Sequence, residues 1–241
     1  MGLPIRIISL GWFSLIFILP CGHGSRSDSF DFTDQSNLDL VISAGGLHTC
    51  FVNSTKLVCW CENEPGNCEP PHGYFKGVSS GSWHSCAITA NSVLKCFGSG
   101  YALNTPPPSE SVATVSSGFA TTCAVLRSNS TLSCWGFGVD QSQVPTGRFV
   151  AVSVGTRSAC AIRSEDSSII CWGADEFGQV SNRPSGPHSA VSCGGGHCCA
   201  VHADGGAVCW GGSDYFAGGR PMPALTGRLL QVSAGLLLIR G

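Results

Sequence analysis

The sequence predicts an all-β fold, a β-propeller built from a disulfide-stapled unit that recurs about every 38 residues. Three observations predict it. A short phrase ending in cysteine returns at regular intervals, a second cysteine followed by an aromatic residue returns with it, and the segments between are rich in β-branched residues and bounded by turns. Regularly spaced short strands with one motif per unit are typical of radial repeats, for which we expect four short strands per blade.

The first phrase consists of a β-branched residue, Ser, any residue, Gly, four further residues and Cys, as in Val78-Ser79-Ser80-Gly81 to Cys86. Its glycines are Gly45, Gly81, Gly118, Gly155, Gly194 and Gly235, separated by 36, 37, 37, 39 and 41 residues. The sixth copy has Arg240 where the others have cysteine. The chain therefore contains five full repeats and the opening of a sixth.

The second phrase is Cys followed by Trp or Phe, found at Cys59-Trp60, Cys96-Phe97, Cys134-Trp135, Cys171-Trp172 and Cys209-Trp210. The fourth repeat shows the expected hairpin: the strand Ser158–Ile162, the turn Glu165–Ser167 and the strand Ser168–Trp172. No segment has a helical period with caps. We expect the recurring Trp side chains to pack between blades.

The cysteines are expected to form disulfides within the hairpins. Of 15 cysteines, Cys21 lies in the N-terminal apolar segment and 14 remain. Residues opposite each other in a hairpin have the Cα separation that a disulfide needs. The predicted pairs are Cys50–Cys59, Cys86–Cys96, Cys123–Cys134, Cys160–Cys171 and Cys199–Cys209. Four cysteines outside the pattern can form two further bridges, Cys61–Cys68 and Cys193–Cys198.

The N-terminal segment predicts export. Arg6 precedes the apolar run Ile7–Leu19, and small residues follow it. This run is shorter than the roughly 17 to 25 residues of a membrane-spanning helix, so we predict a cleaved signal peptide at 1–24. Residues 25–39 form a lead-in and 40–241 the repeat domain. Disulfides and the sequons at Asn53 and Asn129 favour a secreted protein or the outer face of the plasma membrane.

The charge pattern argues against nucleic-acid binding. The net charge is −2, only 12% of residues are charged, and the only lysines are Lys56, Lys76 and Lys95. No basic stripe is present to neutralise phosphates. No later apolar run is long enough to span a membrane.

The segment from Cys160-Ala161-Ile162 through Cys171-Trp172-Gly173 to Gly178-Gln179-Val180 resembles the repeat of the regulator-of-chromosome-condensation family. This resemblance covers about Leu40 to Gly235 and implies a propeller, commonly of seven blades. The paired cysteines resemble the secreted branch of that family, which includes ectodomains of plant crinkly-type receptor-like kinases. The signal peptide and paired cysteines argue against the nuclear exchange-factor role of the namesake branch.

The repeat count is low for such a propeller. Missing blades would leave unpaired edges. We therefore expect a truncated form of a longer protein, and a five- or six-bladed variant is the alternative.

Two groups of residues suggest catalysis or metal binding. Gly77-Val78-Ser79-Ser80-Gly81 matches a nucleophile elbow, but the same strand returns as Thr114–Gly118, which favours a repeat position over a hydrolase. Three histidines lie three residues after the repeat glycine, and three cysteines lie near the last of these histidines. One interpretation is that they are zinc ligands. These residues are His48, His84, His197, Cys193, Cys198 and Cys199. Because Thr121 and Ser158 occupy the same position in other repeats, we favour a structural hydrogen bond.

The segments after each Cys-aromatic pair differ most between repeats, and repeat scaffolds often bind through such loops. They are Glu62–Pro71, Phe97–Pro108, Phe137–Pro145, Ala174–Pro187 and Gly212–Pro223. Trp83 lies outside the repeat pattern and could serve either as a binding anchor or in the core. We predict a non-enzymatic extracellular module, without cofactor or metal, that binds a protein, peptide or glycan. The alternatives are the ectodomain fragment of a crinkly-like receptor kinase and a secreted protein inhibitor.

Overall fold

A computed structural model describes residues 41–61, 68–100, 103, 105–137, 142–212, 229 and 231–234. The predicted signal peptide at 1–24 and the lead-in at 25–39 lie outside these residues. So do most of the last variable loop and the sixth repeat from Gly235 onward. In the described ranges the chain forms five three-stranded antiparallel sheets, which we call blades 1 to 5.

Each blade consists of three strands that are consecutive in the chain and adjacent in the sheet. Blade 1 contains β1 (Val41–Ala44), β2 (His48–Asn53) and β3 (Lys56–Cys61), and blade 2 contains β4 (Phe75–Ser80), β5 (His84–Thr89) and β6 (Leu94–Gly98). Blade 3 contains β7 (Val112–Ser117), β8 (Thr121–Leu126) and β9 (Leu132–Gly136), and blade 4 contains β10 (Phe149–Val154), β11 (Ser158–Arg163) and β12 (Ile169–Gly173). Blade 5 contains β13 (His188–Cys193), β14 (His197–His202) and β15 (Ala207–Gly211).

The expectation of four strands per blade is wrong for the described residues, which contain three per blade. The segments that join one blade to the next lack regular structure, as in 105–111 and 174–187. Proline explains part of this, because it has no backbone N–H to give to a strand ladder. Pro106, Pro107 and Pro108 interrupt the first of these segments, and Pro184 and Pro187 the second.

The second hairpin of each blade is closed by a residue with positive φ. Ser54, Ser92, Ser130 and Ser167 have φ between 58° and 68°, and Gly205 takes this place in blade 5. In blades 3, 4 and 5 a preceding Asn or Asp stabilises the turn: in blade 3 the backbone N–H of Thr131 donates to Asn129 Oδ1 at 3.0 Å. Such side chains commonly replace a backbone acceptor in turns. The turns therefore set the register that places the cysteines opposite each other.

The hydrophobic core lies between successive blades. Ala87, Ala124, Ala161 and Ala200 in the central strands are fully buried. Trp135 of blade 3 packs against Ile88 and Leu94 of blade 2, and Trp210 of blade 5 packs against blade 4. This confirms the predicted packing of these two Trp side chains. In blades 2 to 5 the aromatic residue thus covers the blade before it.

Trp60 differs from its counterparts in later blades. It is 45% exposed, whereas Trp135 is 4% exposed. Its ring stacks on Phe51 of its own blade at a centroid distance of 4.7 Å. Since blade 1 is the first blade described, no described blade precedes it to cover this ring.

Candidate functional site

The repeated serine holds one blade to the next. The Ser79 hydroxyl of blade 2 accepts a hydrogen bond from the backbone N–H of Ser117 in blade 3, at 2.9 Å. The same bond, from a backbone N–H to the serine hydroxyl of the blade before it, recurs in four further pairs: Ser80 to Ser43, Val154 to Ser116, Cys193 to Ser153 and Ala234 to Ser192. Ser79 lies in strand β4, with no strand-to-helix turn. The nucleophile-elbow interpretation therefore does not fit, and a repeat position does.

The repeated glycine allows the closest approach between blades. A Cβ added at Gly81 would collide with the carbonyl oxygen of Gly118 in the next blade, and the same holds for Gly118 against Gly155. Next to this contact, the backbone N–H of Ser82 donates to the Gly118 carbonyl at 3.1 Å. Only glycine fits at this position, which explains its period in the sequence.

The repeated histidines also join blades. His48 Nε2 and Ser85 Oγ share a hydrogen bond of 2.7 Å, and His84 Nε2 and Thr122 Oγ1 share one of 2.6 Å. Burial lowers the pKa of the His84 side chain to about 4, with a smaller contribution from the nearby His48. Burial also lowers the pKa values of His48 and His197. The neutral rings of His48 and His84 therefore serve as structural links between blades.

Seven disulfides link all fourteen described cysteines. They are Cys50–Cys59, Cys61–Cys68, Cys86–Cys96, Cys123–Cys134, Cys160–Cys171, Cys193–Cys198 and Cys199–Cys209, the same pairs that the spacing predicts. The hairpin pairs have Cα separations of 4.0 to 4.1 Å. The sulfurs of Cys160, Cys193 and Cys198 lie within 4.8 Å of one another. Because each is bonded in a disulfide, this cluster offers no thiolate to a zinc ion.

The Cys193–Cys198 bridge replaces a hydrogen bond found in another blade. Both cysteines occupy directly opposed positions in the first hairpin of blade 5. The same positions in blade 2 hold Ser80 and Ser85, and the Ser85 hydroxyl donates to Ser80 Oγ at 2.9 Å. Blade 5 is therefore stapled across both of its hairpins.

One end of the blades carries the variable segments. The residue directly after the third strand of a blade donates its backbone N–H to a carbonyl in the loop between the first and second strands. These bonds run from Ser99 to Trp83, Phe137 to Ala120, Ala174 to Arg157 and Gly212 to Gly196, at 2.8 to 2.9 Å. These first-hairpin loops and the first residues of the variable segments beside them form one surface, which we call the loop face. The sequons at Asn53 and Asn129 lie at the opposite end of the second strands, in the second-hairpin turns.

Large apolar side chains are exposed on the loop face. Phe137 is 65% exposed and Phe119 43%, and Leu47, Trp83 and Phe177 are each 38% exposed. Trp83 thus lies on this surface and not in the core. Aromatic side chains are enriched among the residues that dominate binding at protein interfaces. These five residues are candidate contacts for a partner.

A cavity of about 640 Å³ opens between blades 3 and 4 on this face. Phe119, Phe137, Val154, Arg157 and Trp172 are among the residues that line it. Small residues of the repeat are among its lining. In blades 1 and 2 a His ring reaches a hydroxyl of the next blade, whereas the corresponding residues in blades 3 and 4 are the smaller Thr121 and Ala159.

The charged group at the cavity is paired. The Arg157 guanidinium donates to both carboxylate oxygens of Glu176, at 2.6 and 2.9 Å. Both side chains are at least half exposed, so the pair orients Arg157 more than it stabilises the fold. The cavity could not be identified from the sequence, because it depends on which residues of two blades meet.

Solved structures resemble this arrangement. The crinkly ectodomain of the Arabidopsis thaliana receptor kinase ACR4 matches with a TM-score of 0.59 and 26% identity, over 70% of this chain and 62% of that chain. The ectodomain of the Physcomitrella patens receptor kinase CR4 matches with a TM-score of 0.58 and 23% identity, over 71% of this chain and 50% of that chain. Prp20p of Saccharomyces cerevisiae matches with a TM-score of 0.62 and 15% identity, over 75% of this chain and 59% of that chain.

The chain has the fold of the regulator-of-chromosome-condensation propellers. It spans 62% and 50% of the length of the two receptor ectodomains. No protein-family model matches this propeller chain, and no curated protein matches it. In the part of the chain that the structure describes, no helix is both long and apolar enough to cross a bilayer.

Proposed function

We propose that this chain is a non-enzymatic extracellular recognition module that binds a protein or peptide partner through its loop face. The observation that carries this proposal is the group of exposed aromatic side chains around the cavity between blades 3 and 4, with Arg157 beside it. Aromatic residues and Arg are enriched in interface cores, where they anchor partners in pockets. A glycan is the alternative ligand, since aromatic rings also offer flat apolar surfaces.

Several features support an extracellular location. Seven disulfides are typical of exported proteins, and the predicted signal peptide at 1–24 agrees with them. We propose N-glycans at Asn53 and Asn129, at the end of the blades away from the loop face. Glycans there would leave the aromatic surface open to a partner.

The similar structures favour a protein ligand over a catalytic role. Two of them are ectodomains of receptor kinases, and a third, Prp20p, is described by its binding to Gsp1p and histones. The serine that suggested catalysis and the histidines His48 and His84 that suggested zinc binding hold blades together here. A second proposal follows from the receptor ectodomains: this chain forms the propeller of a crinkly-like receptor kinase. Sequencing the full-length transcript tests it, and a membrane span followed by kinase motifs is the expected result.

Binding of the fluorescently labelled, secreted protein to the surface of cells that express it tests the leading proposal. The variant Phe119→Ala/Phe137→Ala should lower cell-surface binding at least about 10-fold, because interface anchors often contribute 2 kcal/mol or more. Val150→Ala is the matched control, since Val150 is 54% exposed but lies near the start of a first strand, away from the loop face. Equal losses in both variants would contradict the proposal.

Pretreatment of the cells separates the two ligand classes. Protease should abolish binding of the wild-type protein, and glycosidases should leave it unchanged. Loss of binding after glycosidase treatment alone would replace the protein partner by a glycan.

A further inference from the structure

Two positively charged side chains meet at one buried hydroxyl between blades 2 and 3. Lys76 Nζ of blade 2 donates a hydrogen bond to Ser92 Oγ at 2.5 Å, and Arg127 Nη1 of blade 3 donates to the same oxygen at 2.9 Å. Ser92 lies in the second-hairpin turn of blade 2, yet it is only 5% exposed. The ammonium and guanidinium groups are therefore held close together, both in contact with one oxygen atom.

This pair of cations belongs to one joint between blades. At the same register positions, the other blades from 2 to 5 have uncharged residues. These are Ala113, Val150 and Ser189 in place of Lys76, and Ala90, Ser164 and Ala203 in place of Arg127. The second-hairpin turn forms in those blades as well. The turn does not need the two cations, so their convergence at Ser92 has another explanation.

No carboxylate of the described residues forms an ion pair with Lys76 or Arg127. Within the ranges that the structure describes, ion pairs form only at Arg157–Glu176 and His202–Asp204. The carboxylate of Glu110 instead accepts a hydrogen bond from the Ser128 hydroxyl at 2.8 Å. Two like charges held close together repel each other, and an anion bound between them removes this cost.

The three groups at this joint can donate to the same anion. Lys and Arg side chains have hydrogen-bond donors only, so Ser92 Oγ accepts in both bonds and keeps its own proton for another acceptor. Both cations also keep further N–H groups that these bonds do not use. Lys76 and Arg127 are exposed residues, which gives an anion a path from solvent.

A cavity of about 320 Å³ adjoins Lys76. Gly77 and Thr114, from the first strands of blades 2 and 3, are among the other residues that line it. The Thr114 hydroxyl oxygen is buried and has no hydrogen-bond partner among the described residues. Buried polar atoms without a protein partner often mark the place of an ion or a water molecule. The cavity therefore provides space and an unpaired polar group next to the lysine.

We propose that Lys76, Ser92 and Arg127 form a binding site for a tetrahedral oxyanion, a sulfate or phosphate group. Ammonium and guanidinium groups hold such anions through charge-assisted hydrogen bonds, and the serine hydroxyl adds a neutral donor. The site lies at the second-hairpin end of the blades, opposite the loop face. It can therefore be occupied while the loop face contacts a partner, and it does not depend on the function proposed for that face.

Titration of the secreted, disulfide-bonded protein with sodium sulfate, at an ionic strength held constant with sodium chloride, tests the site. We expect saturable shifts of the backbone amide NMR signals of Ser92 and Arg127, with one sulfate ion bound per chain. Sodium phosphate should give the same pattern. Phenyl phosphate distinguishes the sources of the anion: tighter binding than inorganic phosphate assigns the site to an ester group of a larger ligand, and weaker binding assigns it to the free anion.

Variants that copy other blades keep the test interpretable. Lys76→Ala/Arg127→Ser installs the residues that blades 3 and 4 have at these positions, so the amide spectrum should remain that of a folded protein. The double variant should bind sulfate at least about 10-fold more weakly, because each hydrogen bond to a charged group contributes about that factor. Ser92→Gly keeps both cations and the positive φ, as Gly205 does in blade 5, and should weaken binding less.

The control is a positive charge elsewhere. Lys56→Gln removes an exposed cation of blade 1 and should bind sulfate as the wild type does. Equal sulfate binding by the wild type and the double variant, or no saturable shift at Ser92 and Arg127 in the wild type, would overturn the proposal.

Discussion

Acidification should weaken this protein through His84, and the structure gives the direction and size of the effect. The ring is 1% exposed and bound to Thr122 of the next blade. Burial, with a smaller contribution from His48, lowers its pKa from 6.5 to about 4. The unfolded chain therefore binds a proton first as the pH falls. Stability contributed by the neutral ring is complete above pH 6.5 and is lost between pH 6.5 and 4.

The expected loss follows from proton linkage. With these two pKa values, protonation of the unfolded state lowers the free energy of unfolding by about 2 kcal/mol at pH 5 and about 3 kcal/mol at pH 4. This is a large fraction of the 5–15 kcal/mol that typically separates folded from unfolded domains.

Urea unfolding at a series of pH values, followed by tryptophan fluorescence with disulfides intact, measures the effect. His84→Thr installs the residue that blade 3 has at the same position, Thr121. This variant should be less stable than the wild type at pH 7 but should lose about 2 kcal/mol less between pH 7 and 5. His72→Gln, at an exposed histidine, should follow the wild-type profile. If wild type and His84→Thr lose stability in parallel as the pH falls, the assigned role of His84 is wrong.

Two further predictions concern the links within and between blades. Gly118→Ala should lower the free energy of unfolding by about 1–3 kcal/mol, since the added Cβ meets the carbonyl of the next blade, and chemical denaturation measures this. Gly77→Ala is its control because its nearest neighbour would be at 3.8 Å, and an equal loss there would contradict the close-approach argument. Peptide mapping without reduction should recover Cys193 joined to Cys198 and a glycan on Asn129. A bridge from either cysteine to another blade would refute the hairpin pairing.

The sequence was informative wherever one residue type serves every blade. The period of the glycines, the cysteine spacing and the β-branched segments predicted five stapled hairpins, because each depends on contacts that repeat. The function of the Val-Ser-x-Gly phrase was not predicted. Its Ser hydroxyl and its missing Cβ both act on the following blade, about 37 residues away.

Features that break the repeat were harder to find. The cavity lies between two blades, where Thr121 of one and Ala159 of the next line it. Trp83 is exposed because it lies in a first-hairpin loop on the loop face. The buried His188 is a further feature of this kind. The position that holds Phe75, Val112 and Phe149 in other blades is polar only at His188.

The hydrogen bond from each blade's backbone to the serine of the blade before it makes the assembly modular. Every joint uses the same few atoms, so a blade needs to fit only its immediate neighbours. Stability in such arrays is a sum over units and their shared borders. Duplication or loss of one whole repeat in the gene would preserve every remaining joint, whereas an insertion of part of a repeat would break one. The propeller can therefore change its size in steps of one blade, while the segments on its loop face diverge independently.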